Sequence, residues 1–314
     1  QEPIAGDVLF WELQNRNGEH RLSGQVNSPL APIGEITPLV RLKIPVPGDD
    51  KAHGWQLSVQ LGTVTNSWHV WSFPYPHPQS ETENDYGIGS RITNLRNLLP
   101  KANFKDNYGG TMLRIDGQAR ETLNSSLQLA ISDRLSLRLL QYLSDGGCVW
   151  LMPDAAQLYD YVPTRYLPPF WSYLHFPDNV SSVMGMKIQT HPSLSNFPHD
   201  GMSDWQWYSL INDSPAICLD SVPFIQPIVE VIDNFNRTKR LSYAFETQIG
   251  QGRLFVSTWR LYDLAVTGRP EAQFLFHEIV RYMRSPAFAP QQKLSVGQLL
   301  GLFRLTNVRT TNLE

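Results

Sequence analysis

The hydrophobic period changes once along this chain, and that change constrains the fold more than any other feature of the sequence. In the first 75 residues the period is two. Val40, Leu42 and Ile44 alternate with Arg41 and Lys43, and Trp55, Leu57, Val59 and Leu61 alternate with Gln56, Ser58 and Gln60. Successive side chains leave an extended backbone on opposite sides, so one apolar face at this period marks a half-buried antiparallel strand. Asp7–Leu13, Arg21–Val26 and Trp68–Phe73 are further strand candidates. Turn formers separate the candidates, notably Asn15-Arg16-Asn17-Gly18 and Pro47-Gly48-Asp49-Asp50. About five strands fall short of the roughly seven in an immunoglobulin-like sandwich. Residues 1–75 therefore read as a partial immunoglobulin-like β-sandwich, with its missing strands expected upstream of Gln1.

From about residue 86 the period lengthens. Ile92–Leu99 is a short helical candidate and Ser126–Ile131 an apolar strand. Asp133 is placed to cap a helix over Arg134–Ser144, whose Leu135, Leu139, Leu140 and Leu143 share one face at 3.6-residue spacing. Gly146-Gly147 ends it, and Cys148–Met152 follows as a wholly apolar strand. Strand, helix and strand in tight succession form a βαβ unit, which implies parallel strands. Further strands are expected at Ala216–Leu219, Ile228–Ile232, Leu241–Thr247 and Arg253–Ser257. A long helix opens with a proline at Pro270 and runs to Arg284, and a capping box, Ser295-Val-Gly-Gln298, opens a last short helix. The fold class is thus α/β plus all-β: the sandwich at 1–75, an open α/β domain at 76–290, and a C-terminal helix and tail at 291–314.

Composition removes several functions. Lys and Arg number 26 against 29 Asp and Glu, a formal charge of −3 that offers nothing to a phosphate backbone, so nucleic acid is not an expected partner. No run of 18 apolar residues exists to span a membrane. Two cysteines, Cys148 and Cys218, make neither a disulfide scaffold nor a zinc site. A nucleophile elbow needs an exposed turn between strand and helix, whereas both cysteines lie within apolar strands. Gly87-Ile88-Gly89 lacks the third glycine of a phosphate loop. His69, His77, His175, His191, His199 and His277 are scattered, without ligand spacing. No catalytic residue, metal or cofactor is expected.

What is abundant is aromatic: 9 Trp, 12 Tyr and 14 Phe. They are densest, beside polar groups, between His191 and Tyr208, where His191, His199, Asp204, Trp205 and Trp207 combine rings with hydroxyl-binding side chains. Ring faces stack on the C–H face of a pyranose while carboxylate and imidazole take its hydroxyls. The same tryptophans also suit a structural role between sheet and loop, with their N–H groups satisfied internally. Asp233 and Asn234 form a second polar cluster at a strand end. It is either a ligand loop at the carboxyl end of a parallel strand or a hairpin turn.

Four segments carry a family likeness: Asn66-Ser67-Trp68-His69-Val70-Trp71-Ser72-Phe73-Pro74, His191-Pro192 through Asp204-Trp205-Gln206-Trp207, Val231-Ile232-Asp233-Asn234-Phe235, and Arg269-Pro270-Glu271-Ala272. They resemble the C-terminal region of glycoside hydrolase family 2 proteins, the β-galactosidase and β-glucuronidase-like enzymes. The resemblance implies a β-sandwich followed by a glutamine-amidotransferase-like (flavodoxin-like) α/β domain without the amidotransferase nucleophile. Family 2 catalysis uses two glutamates on a (β/α)₈ barrel of about 250 residues, for which this chain has no room. Glu246 and Glu278 have no acid/base context in the sequence. The resemblance therefore implies a non-catalytic accessory portion of a glycosidase. Its partner would be the catalytic portion, upstream or on another chain, and its location periplasmic or at the outer surface. The alternative is a carbohydrate-binding module using the His191–Tyr208 segment. A hydrolase or amidotransferase acting through Cys148 is the third reading, and the one the residues favour least.

Overall fold

The computed structural model describes residues 7–29, 32, 34–48, 50–74, 98, 129–164, 185–233, 237–261, 263 and 267–305, together with the backbone of 84–86, 102–104 and 112–115. The chain divides into two units, one comprising residues 1–78 with 204–206 and the other 79–203 with 207–314.

The first unit is built on strands β1 (Val8–Asn15), β2 (Arg21–Asn27), β3 (His53–Leu61) and β4 (Val64–Ser72). They pair antiparallel in the order β2-β1-β3-β4. Gly62, at φ +55°, lets a two-residue turn join β3 to β4, a left-handed conformation that a side chain disfavours. Leu9, Leu13 and Trp55 are buried on one face, where the indole N–H of Trp55 donates to Ser72 Oγ at 2.8 Å. Among the described residues the unit holds this single sheet. The strand expected at Val40–Ile44 is not in a ladder: Leu42 and Ile44 are half-buried between exposed Arg41 and Lys43, but the segment pairs with nothing in the sheet. Alternating burial shows only that one side faces the protein; it does not supply a hydrogen-bonded neighbour.

The second unit carries a ten-stranded sheet. Its β7 (Met112–Ile115), β8 (Leu129–Ser132), helix α1 (Leu137–Ser144) and β9 (Cys148–Leu151) contain the expected βαβ unit, with β8 parallel to β9. The cap of α1 is Ser136, whose Oγ accepts from Leu139 N at 3.2 Å; Asp133 lies one turn too early. Leu135, Leu139, Leu140 and Leu143 are buried. Beyond these come β10 (Tyr161–Pro163), β11 (Gly185–Ile188), α2 (Trp205–Ile211), β12 (Pro215–Cys218), β13 (Pro227–Ile232), β14 (Arg240–Ile249) and β15 (Gly252–Ser257). The unit closes with α3 (Pro270–Met283), β16 (Lys293–Leu294) and α4 (Val296–Leu302). β5 (Asn84–Tyr86) and β6 (Ala102–Phe104) form a separate parallel pair. The helix expected at Ile92–Leu99 and the Gly87–Gly89 turn lie outside the described residues, Leu98 excepted.

β14 is the hub of the sheet. It pairs antiparallel with β12, β13 and β15 and parallel with the two-residue β16. Among the described residues, parallel pairing is otherwise confined to β8-β9-β15 within this sheet. The sheet is therefore mixed, not the parallel one that the strand–helix–strand pattern implies. The physical reason is connection length: β14 and β15 are separated by two residues, and a parallel crossover needs a dozen or more. Gly252 shows how tightly the hub is packed, since a Cβ there would lie 2.1 Å from the carbonyl oxygen of Leu143. The C-terminal segment belongs to this core: Leu294, Leu299, Leu302 and Phe303 pack with Leu135, Phe245, Leu254 and Val256. Ser295 and Gln298 make the reciprocal capping box expected of them. No helix among the described residues is long and apolar enough to cross a membrane.

Candidate functional site

Three elements of the second unit converge on a polar cluster. A 3₁₀ turn at Pro192–Leu194 is capped by His191, β14 supplies Glu246, and α3 supplies Tyr282. The Tyr282 hydroxyl donates to Glu246 Oε2 at 2.7 Å, and His191 Nε2 lies 3.6 Å from the same oxygen. His191 Nδ1 lies 2.8 Å from Ser193 Oγ and accepts from Ser193 N–H at 3.3 Å, while Nε2 faces the carboxylate. The imidazole also meets the Tyr282 ring edge-on, with centroids 5.2 Å apart. Burial, and then the hydrogen bond to Glu246, pushes the Tyr282 hydroxyl well above its ordinary pKa. Its role at neutral pH is that of a fixed donor. The cluster ties turn, strand and helix together, and its carboxylate is occupied by neighbours from the same unit.

Two further carboxylates point inward from α3. Glu278 accepts from Asn196 Nδ2 at 2.8 Å and pairs with Arg281. Glu271 accepts from Ser209 Oγ at 2.6 Å and pairs with Arg269 at 2.7 Å. Glu246 and Glu278 thus have defined partners, but those partners hold loops to the helix and sheet. The sequence missed these contacts because the residues joined are 82 and 62 positions apart.

The described sugar-contact residues read from the sequence each have their own local role. His191 caps its turn. His199 Nδ1 accepts from Gly201 N at 3.2 Å within a tight turn, and burial lowers the pKa of its ring against the opposing pull of Asp200. Asp204, Trp205 and Gln206 group with the first unit. There Asp204 Oδ2 lies 3.1 Å from His69 Nδ1, while Oδ1 accepts from Trp205 N at 2.7 Å. Trp205 is 67% exposed, but Trp207 is fully buried, with ring centroids 4.8 Å from Phe197 and 5.7 Å from Trp259. Trp207 is therefore structural and cannot touch a sugar. Among the described residues its indole N–H has no hydrogen-bond partner, contrary to the internal satisfaction expected of it.

Asp233 is withdrawn from ligands as well, its side chain 2% exposed. Oδ1 accepts from Arg237 at 2.6 Å and Oδ2 from Lys239 N at 3.0 Å, which clasps the antiparallel β13–β14 connection. Of the two readings of this loop, the hairpin is the observed one. Asn234 lies outside the described residues.

Neither cysteine is a nucleophile in waiting. Cys148 is buried on β9 with its thiol 3.9 Å from the Met283 carbonyl oxygen, and burial pushes its pKa up to about 12. Cys218, buried at the end of β12, is also pushed up to about 12, burial being the main cause. Among the described residues no three His, Cys, Asp or Glu side chains are grouped to hold a metal ion.

The hub sheet and its capping helices coincide with a family match. Residues 130–304 match the family described as Domain of unknown function (DUF8487), and the chain belongs to that family. Residues 1–74, which contain the four-stranded sheet, match a second model, Domain of unknown function (DUF8488). No curated protein matches the chain.

Proposed function

We propose that this chain is a non-catalytic accessory portion of a glycoside hydrolase of the family 2 type, which packs against a catalytic barrel and takes part in oligosaccharide breakdown. In this reading the first unit is a partial immunoglobulin-like sandwich, and the second is an amidotransferase-like domain whose sheet departs from the flavodoxin-like pattern in its antiparallel hub. The observation that carries the reading is Cys148. It sits inside a buried strand, its thiol protonated across the neutral range, where an elbow nucleophile would occupy an exposed turn. The polar cluster supports the same conclusion, since the Glu246 carboxylate accepts from Tyr282 and lies against His191 within the unit. The site of action is periplasmic or at the outer surface.

Two measurements test this. The purified chain should release no chromophore from aryl β-galactosides or β-glucuronides, and it should co-elute at fixed stoichiometry with the family 2 barrel of its source. Turnover by the chain alone that Cys148→Ala abolishes would restore the hydrolase reading. Failure to co-elute would remove the accessory one. A second reading, a carbohydrate-binding module, keeps one supporting observation in the 67% exposure of Trp205. Calorimetry with oligosaccharides, with and without Trp205→Ala, decides it.

A further inference from the structure

The solvent-facing side of the first unit's sheet is not an ordinary polar face. β1 is an inner strand, and on its outward phase Phe10 is 51% exposed. The pairing register puts Gln25 of β2 and Gln60 of β3 directly opposite Phe10, on either side of the ring, with Thr65 of β4 opposite Gln60. One rung along, Glu12 stands between Ser23 and Ser58. These side chains line an open trough of about 520 Å³, within the range of about 300–1,000 Å³ usual for small-ligand sites.

The lining has a definite chemistry. Its outward side chains are one exposed aromatic ring, two carboxamides, three hydroxyls and one carboxylate, with no Lys or Arg; Trp11, Gly24 and Val59 complete the lining. The carboxylate of Glu12 is paired at the rim with Arg21 of β2. Such a surface does not attract an anion, and a cation would meet a carboxylate already neutralised. Nor does it suit a purely apolar ligand, which would strip water from six polar side chains while offering them no hydrogen bond; within the protein Glu12 pairs with Arg21 and Gln60 Nε2 donates to Gly62 O at 3.1 Å. A neutral ligand with one C–H face and many hydroxyls satisfies every group present. An aromatic body supplies apolar contact at low entropic cost, while carboxamides donate and accept at once. Strands about 4.8 Å apart space these groups at roughly the breadth of a sugar ring.

We propose that this trough binds a neutral oligosaccharide, with Phe10 stacked on a pyranose face and Gln25, Gln60 and Glu12 on its hydroxyls. The proposal extends the accessory reading by naming what the first unit holds, and rests on it for the choice of sugars. The site is separate from the His191–Tyr208 segment.

Calorimetry on the full chain, with neutral galacto-, gluco- and xylo-oligosaccharides and a glucuronate oligomer as the anionic control, tests it. The expected result is saturable heat with at least one neutral sugar. Affinity should fall at least tenfold in Phe10→Ala and severalfold in Gln60→Ala, and stay unchanged in Trp205→Ala. Gln60 is an exposed side chain, so its variant reports on binding even where Phe10→Ala perturbs the sheet. Absence of saturable heat with every neutral sugar, binding of the glucuronate oligomer alone, or heat that survives both Phe10→Ala and Gln60→Ala overturns the proposal. Co-elution with a barrel is read separately, so a chain that assembles without binding sugar loses this site and keeps its accessory role.

Discussion

Strands β1 and β14 are both inner strands with antiparallel neighbours on either side, yet they carry opposite burdens. On β1 only Leu9, Leu13 and Asn15 are buried, while Phe10 and Gln14 face solvent. On β14, Leu241 through Phe245 are buried without a break, as are Thr247 and Ile249. A strand covered on one side obeys a period of two, and one covered on both sides can lose it. The polar residues of β14 are affordable because each is paired: Ser242 Oγ donates to Ala244 O at 2.9 Å, and Thr247 Oγ1 to Gln292 O at 3.0 Å. The difference teaches that stability is concentrated in the second unit, whereas the first spends a large surface on being accessible.

If that contrast is right, the severest single change lies at the hub. Gly252→Ala drives a Cβ to 2.1 Å and 2.6 Å from two backbone oxygens, so a loss on the order of 4 kcal/mol or more is expected; a soluble variant with an unchanged melting temperature would refute it. Next is Trp207→Ala, with an expected loss of about 3–5 kcal/mol in denaturant unfolding. Trp207→Phe should cost distinctly less, because it also removes a buried N–H that has no partner among the described residues. Trp205→Ala, two residues away on the same helix, should stay within about 0.5 kcal/mol of the parent.

The thiols supply a pH test confined to the second unit. Both native pKa values are raised from 9.0 to about 12. The unfolded chain therefore gives up these protons first as the pH rises. Their contribution is complete below about pH 9 and is lost between there and about pH 12. Urea titrations across that window should show falling stability, flattened in a Cys148→Ala/Cys218→Ala variant. Neither thiol should react with a disulfide reagent at pH 8 before unfolding. A smaller loss than at the hub or at Trp207 is expected at Ser136→Ala, about 1 kcal/mol for loss of the helix cap, against no measurable change for exposed Gln14→Ala in the first unit.

Much of the second unit was legible because its elements are long and locally marked. Pro270 opens α3, Ser295 and Gln298 box α4, and the leucines of α1 fall on one face. The short strands were not legible. Tyr161–Pro163 contains a proline, Gly185–Ile188 begins with a glycine, and Lys293–Leu294 is two residues long, so none presents a period to read. Within Val8–Leu13, four successive apolar residues hide which phase faces inward. Only the register against Gln25 and Gln60 turns Phe10 outward. The polar cluster was invisible for another reason. His191, Glu246 and Tyr282 come from a turn, a strand and a helix, and no local pattern links them.

What the sequence determined by itself was the succession of elements: alternating strands, then a strand–helix–strand unit, then capped helices, each encoded in side chains within a few residues of one another. What only the tertiary structure decided was the direction of pairing around β14, the separation of exposed Trp205 from buried Trp207, and the face on which Phe10 stands. Those outcomes depend on which distant segment arrives to cover or pair with a given residue, and periodicity records that a side is covered without recording by what.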